Sequence, residues 1–296
     1  MIKQNKISTV CLFFVASLFF ISCKNEKRST PIVDNQIEFD TITVAERHHL
    51  ANDTINPYCE IHINFVFPIS SEKISVDTLR HFFVESVLGV AYKKLTPLDA
   101  VKKYVQSYIE NYNTDARIYR ENVQDFLAMN LMIPGMYDDE PIDDIFHSYY
   151  ESLSNTITYN QNGILAFQVK QSNSRGGFIS FDSFRNYVLN LHTGEQITEF
   201  EIFNPAYDTA LQNIIIASLL EQNSVKSVEE LENLGFFGIQ EIVPNGNFLL
   251  DDQGITYTYN KGEYSAYQLD APEVFIPYSS IRSLLRRGSV VSKLID

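Results

Sequence analysis

Residues 149–169 read YYESLSNTITYNQNGILAFQV, and this stretch decides the fold class. Two runs rich in β-branched and aromatic residues, Tyr149 to Tyr159 and Ile164 to Val169, flank Asn160-Gln161-Asn162-Gly163. Asn-Gly between such runs is the strongest short-range hairpin signal, because both central residues of a type I′ turn need a positive φ. An antiparallel pair is expected here. Downstream, Ser172-Asn173-Ser174-Arg175-Gly176-Gly177 reads as a loop before a strand through Tyr187, Leu189 and Leu191, which ends at His192-Thr193-Gly194-Glu195. Together these segments make an antiparallel meander.

Toward the C-terminus, Pro205 to Gln222 reads as a helix whose Leu211, Ile214, Ile215 and Leu219 form a broad apolar face. Ser227-Val228-Glu229-Glu230 has the capping-box pattern of a short helix ending near Gly235. Phe248-Leu249-Leu250 pairs with Ile255 to Tyr259 across Asp251-Asp252-Gln253-Gly254, a final strand covers Glu273 to Tyr278, and Ser280 caps a short helix carrying Ile281, Leu284 and Leu285. Toward the N-terminus, Ile61, Ile63, Phe65 and Phe67 recur at the strand period of two. Asp77-Thr78 starts a helix that stops at Gly89, and Thr96-Pro97-Leu98-Asp99 opens a second through Val101, Val105, Tyr108 and Tyr112, continued by Ile118 to Leu131. Helices lying between groups of antiparallel strands predict an α+β fold: antiparallel meanders packed with several helices, in two sequential subdomains, 58–179 and 180–296.

The first 22 residues have the layout of a secretory signal, Lys3 and Lys6 preceding an uncharged stretch from Ile7 to Ser22. Leu18 to Cys23 resembles the lipobox of bacterial lipoproteins, which implies cleavage before Cys23 and lipidation of its thiol. Residues 23–57 then read as a lipidated tether, with Ile37, Phe39, Ile42 and Val44 forming an edge strand at its distal end. The expected location is exported, held to an envelope membrane by the N-terminal lipid, since two acyl chains anchor a soluble body stably.

Net charge is −14, and loss of Lys3 and Lys6 with the signal deepens it. Such a field repels nucleic acid and steers cationic partners toward the surface. Of the three cysteines only Cys59 remains in the body once Cys11 leaves and Cys23 is lipidated, so an intrachain disulfide is excluded. Cys59 reads as a small buried hydrophobe.

Chemistry is sparsely marked. Cys59 and His62, three apart on a strand, point to opposite faces and cannot share a metal. The adjacent His48-His49 lacks a third ligand at useful spacing. Serine-hydrolase elbows, zincin pairs and phosphate-binding glycine loops are absent from the sequence. No catalytic residue, metal or cofactor is expected. The densest acidic patch, Asp138, Asp139, Glu140, Asp143 and Asp144, reads as a solvated loop and helix N-terminus and is the first candidate for contact with a cationic partner. Ile255, Tyr257 and Tyr259 share one strand face, which reads as core packing rather than a sugar-stacking platform. Asp40-Thr41-Ile42, Asp53-Thr54-Ile55, Asp77-Thr78-Leu79 and Asp208-Thr209-Ala210 resemble the O-glycosylation sequons of some Gram-negative anaerobes.

The order Asn190-Leu191-His192-Thr193-Gly194, an apolar helix, Phe248 then Gly254-Ile255 with Tyr257 and Tyr259, and Val274 then Ile276-Pro277-Tyr278 with Ile281, resembles the RsiV/PdaC-type extracellular domain of unknown function. That domain is shared by lysozyme-sensing anti-sigma factors and some peptidoglycan deacetylases. Its frequent Gly-Gly-Ala-His loop is replaced here by Gly176-Gly177-Phe178-Ile179, and the Gly before its last strand by Ala271-Pro272. The resemblance, best over residues 180–287, implies a binding or sensing domain that recognises a cationic wall-lytic protein such as lysozyme, or wall glycan. The rival expectation is a glycan-acting enzyme using carboxylates that no motif marks. Ligand identity and oligomeric state are left open by the sequence.

Overall fold

The hairpin at Asn162-Gly163 forms the spine of a six-stranded sheet. In the computed structural model, residues 33–50, 57–132, 148–175, 181–266 and 269–295 are described. Strands β1 (Ile37–His49), β2 (Tyr58–Ser71), β3 (Tyr149–Gln161), β4 (Ile164–Arg175), β5 (Phe181–Asn190) and β6 (Glu195–Gln196) lie in chain order across this sheet. Helices α1 (Val76–Leu88) and α2 (Pro97–Met132) connect β2 to β3. Beyond β6 come α3 (Glu199–Ile202), α4 (Asp208–Gln222), α5 (Val228–Asn233), a second sheet of β7 (Phe248–Leu250), β8 (Gly254–Thr258) and β9 (Glu273–Pro277), then α6 (Tyr278–Ile281) and α7 (Val290–Ile295). The α+β class expected from the sequence is what the chain adopts.

Strand β4 shows why its apolar run is continuous. Leu165, Phe167 and Val169 face α1 and α2 in one core, while Ile164 and Ala166 face α4 and the second sheet in another. A strand buried on both faces loses the usual alternation. The six-stranded sheet is thus the middle layer of three. At the turn, Asn162 and Gly163 have φ of 57° and 77°. The positive φ at 163 favours glycine; the His192 ring, 2.3 Å from where a Cβ would stand, belongs to an exposed side chain that can swing aside.

Several expectations are corrected. The sheet is not wholly antiparallel: β2 and β3 pair in parallel from Cys59↔Tyr149 to Asn64↔Ser154, because the long α1–α2 crossover returns the chain to the same end of the sheet. Ser172 to Arg175 belong to β4 rather than a loop, held between β3 (Arg175↔Tyr149) and β5 (Ser172↔Asp182) by main-chain pairing that does not ask for apolar side chains. The strand expected around Ile37 to Val44 runs on to His49, and β5 pairs with β4 in the same sheet. The helix placed at Ser280 starts at Tyr278, with Pro277 at its N-cap. Helix α3, with a capping box between Thr198 and Glu201, is an element that the sequence reading did not include.

Asparagine side chains close the places where strands diverge. Asn155 Nδ2 donates to Val66 O and its Oδ1 accepts from Val66 N, both at 2.9 Å, replacing a rung where β2 leaves β3. Asn247 Oδ1 accepts from Asn186 N at 2.8 Å and its Nδ2 donates to Phe184 O at 3.1 Å; Asn260 Oδ1 accepts from Phe184 N at 2.7 Å. These bonds join the edge of β5 to the second sheet. Before β1, Asn35 donates to Ile164 O and accepts from Gly163 N, each at 2.7 Å, clamping the chain onto the hairpin turn. A side-chain amide carries both donor and acceptor, so it can mimic a peptide group.

Candidate functional site

Helix α2 begins with Thr96 and Asp99 bonded to each other, Asp99 N donating to Thr96 Oγ1 at 3.2 Å. Its early apolar residues Val101 and Val105 are buried in the core under the sheet. Tyr104, Ser107, Tyr108 and Asn111 follow the helical i, i+3, i+4, i+7 spacing on one side of α2, beside the polar end of β3 and β4. Between them lies a cleft of about 400 Å³, bordered also by Tyr92, Tyr150, Glu151, Gln171, Asn173 and Arg175. A volume of that size is within the range of small-ligand sites.

Glu151 is the chemical centre. The inward alternation of β3 places it one rung before Leu153, and it is 8% exposed. Its Oε1 accepts a short hydrogen bond from the Tyr104 hydroxyl and a longer one, at 3.3 Å, from Gln171 Nε2. Among the described residues its Oε2 has no hydrogen-bond partner and no cation forms an ion pair with it. Tyr92 and Tyr104 lie with ring centroids 5.5 Å apart, and Tyr108 donates to Glu60 O at 3.3 Å. Burial, then the Glu151 carboxylate, raises the Tyr104 hydroxyl far above its ordinary value, and burial does the same to Tyr108. Both phenols therefore stay protonated donors. Arg175 lies over the Tyr149 ring at 5.3 Å, and Tyr149 donates to Asp115 Oδ2 at 3.2 Å.

This arrangement offers flat aromatic faces, amide and hydroxyl donors, one carboxylate and one guanidinium. It can bind a polar organic ligand. A glycosidase-type pair would need two carboxylates about 5–10 Å apart, and among the described lining residues Glu151 is the only acid.

The residues singled out in the sequence fall elsewhere. Cys23, the acids Asp138, Asp139, Glu140, Asp143 and Asp144, the Gly176 to Ile179 loop and the Asp53 sequon lie outside the described residues. Cys59 is buried against Leu50 and Tyr112, its thiol pushed up to about 12 by burial, whereas His62 is on the other face with its Nε2 2.6 Å from Glu60 Oε1. His48 Nε2 lies 2.9 Å from Asn113 Oδ1. Among the described residues no three His, Cys, Asp or Glu side chains gather as a metal site. Tyr257 and Tyr259 are fully buried, as the core reading expects. Thr41, Thr78 and Thr209 are exposed. The cleft itself was missed, and its signal was Glu151 at an inward strand position together with Tyr104 and Tyr108 one helical turn apart. Among the described residues no helix is long and apolar enough to cross a membrane.

Residues 201–279 match the family described as a protein of unknown function, DUF3298. The matched span runs from α3 to α6 and contains the second sheet; the cleft residues precede it. A crystal structure of a DUF3298-family member from Bacteroides fragilis NCTC 9343 is similar with a TM-score of 0.75 at 25% identity, covering 88% of this chain and 98% of that one. A DUF3298-family protein from Pseudomonas aeruginosa PAO1 gives a TM-score of 0.55 at 12% identity, over 84% of this chain and 95% of that one, a likeness of fold alone. No curated protein matches the chain.

Proposed function

We propose that this chain is an exported, lipid-anchored binding or sensing protein of the bacterial envelope, and that the cleft between α2 and the β3–β4 hairpin takes wall glycan. The observation that carries this reading is the cleft's lining: tyrosine rings beside a nearly buried carboxylate and several amides, the combination that stacks on sugar faces and bonds sugar hydroxyls. The Ile7-to-Ser22 stretch ending at Cys23, and the resemblance to an RsiV/PdaC-type envelope domain, support the location. Co-sedimentation of the full chain with purified peptidoglycan tests the binding, with Tyr104→Ala expected to abolish it; binding undiminished in that variant would remove the cleft from the reading. Incorporation of labelled palmitate that persists in Cys23→Ala would refute the anchor.

A second partner, a cationic wall-lytic protein such as lysozyme, is favoured by the net charge of −14. Its contact surface would include Asp138, Asp139, Glu140, Asp143 and Asp144. Pull-down at low and physiological salt tests it, and absence of binding at both rejects it. The enzymatic alternative, a glycan hydrolase, is the weaker reading because the described cleft offers one carboxylate rather than two.

A further inference from the structure

Two charged groups border the cleft with no ion-pair partner among the described residues: Glu151, whose Oε1 takes the bonds from Tyr104 and Gln171, and Arg175, which lies over the Tyr149 ring. The strand register places them on one face: Glu151 stands opposite Asn173 and Tyr149 opposite Arg175, so the carboxylate and the guanidinium are diagonal neighbours. Diagonal positions on paired strands are on the order of 7–8 Å apart. Long side chains can span that distance, yet among the described residues the two form no ion pair with each other, which leaves both charged ends available to one small ligand bridging them. A carboxylate on a residue only 8% exposed and without a counter-charge is well served by an ammonium, which supplies both charge and donors. A guanidinium fork is shaped for a carboxylate. A neutral saccharide would satisfy neither charge.

The geometry points to a zwitterionic ligand: a short peptide with free ammonium and carboxylate groups, as a peptide-bearing glycan carries, its ammonium on Glu151 and its carboxylate on Arg175, beside the Tyr92–Tyr104 pair. This inference rests on the reading of the cleft as the envelope-ligand site. Calorimetry of the full chain with alanyl-alanine, its N-acetyl and C-amide forms, and the uncharged chitotetraose tests it. Alanyl-alanine is expected to bind at least tenfold more tightly than either capped form. Glu151→Gln should erase the difference made by acetylation, and Arg175→Ala the difference made by amidation. Arg175 is exposed at the end of β4, so its variant decides the question even if Glu151→Gln does not fold. Equal binding of the three peptides, or binding of chitotetraose without alanyl-alanine, overturns the zwitterion while leaving the cleft a glycan site. Absence of binding by all four overturns both.

Discussion

Two sets of tyrosines in this chain meet opposite fates. Tyr104 and Tyr108 on α2 border a cleft and send their hydroxyls to Glu151 and to Glu60 O. Tyr257, Tyr259 and Tyr278, on or beside the second sheet, are buried among Leu211, Ile215, Val274 and Ile276. Tyr259 and Tyr278 donate to Val243 O at 2.9 Å and to Asp251 O at 2.6 Å, while the buried Tyr257 hydroxyl faces the Glu199 carboxylate outside ordinary hydrogen-bond geometry. The difference lies in what stands opposite. Where aliphatic side chains face the ring, it becomes packing; where an inward acid, an amide and a guanidinium face it, a cavity stays open. Aromatic periodicity alone does not separate the two cases.

The sharpest way to break this comparison is to truncate one ring from each set. Tyr257→Ala should cost about 3–5 kcal/mol, as large aromatic deletions in packed cores do, measured by urea denaturation. Tyr104→Phe should leave stability within about 1 kcal/mol while weakening retention on peptidoglycan, and equal destabilisation by the two would reduce the cleft to ordinary core.

Next in size is the seam between the sheets. Asn247→Ala strips the false rungs from Phe184 and Asn186 and should cost about 1–3 kcal/mol, the penalty of leaving buried main-chain groups unsatisfied. Hydrogen exchange at the Asn186 amide should rise with it, while the Phe184 amide stays bonded to Asn260 Oδ1. Unchanged protection would mean that the seam is held by packing alone.

A finer test sits inside the buried set. Tyr259→Phe deletes a well-formed hydrogen bond and should cost about 1 kcal/mol, whereas Tyr257→Phe removes a hydroxyl that faces the Glu199 carboxylate outside ordinary hydrogen-bond geometry and should cost less. Identical losses at both positions would make the Glu199 contact a full hydrogen bond.

The smallest effect is a pH dependence on the exposed face of β2. The Glu60 carboxyl lies below its ordinary 4.5, held there by the hydrogen bond from His62 and then by Arg47. A folded-state value below the unfolded one adds stability above the unfolded pKa and loses it as pH falls through the folded one. Acidification below pH 4.5 should therefore remove this contribution, no more than a few tenths of a kcal/mol for so solvated a group. Arg47→Ala should flatten that limb of the stability profile slightly; a steeper limb would contradict the assignment.

Much of the fold was legible because it is written locally. Asn162-Gly163, Thr96-Pro97 and the N-cap at Ser227 each specify a backbone conformation through their own chemistry, and each is found where those residues stand, although Glu230 reaches back to Lys226 N rather than closing a capping box on Ser227. The parallel β2–β3 pair was not legible, since no residue in either strand records which neighbour it will meet after two intervening helices. Polar Ser172 to Arg175 read as loop because their strand is set by partners on both sides rather than by their own propensity. For the cleft the same holds: Tyr104, Glu151 and Arg175 are scattered over 72 positions of sequence and become a site only when α2 lies across the hairpin.

The clamp at Asn35 has a mechanical meaning for an anchored molecule. With the anchor proposed at Cys23, load would reach the described residues first at Val33, whose N–H donates to Asn162 Oδ1 at 3.0 Å and whose carbonyl accepts from Asn162 N at 2.7 Å. The hairpin bonded there is built from the same two strands that carry Glu151 and Arg175. Under that proposal, tension would be delivered to the proposed ligand cleft along a continuous pair of strands, before any rung between β1 and β2 has to open.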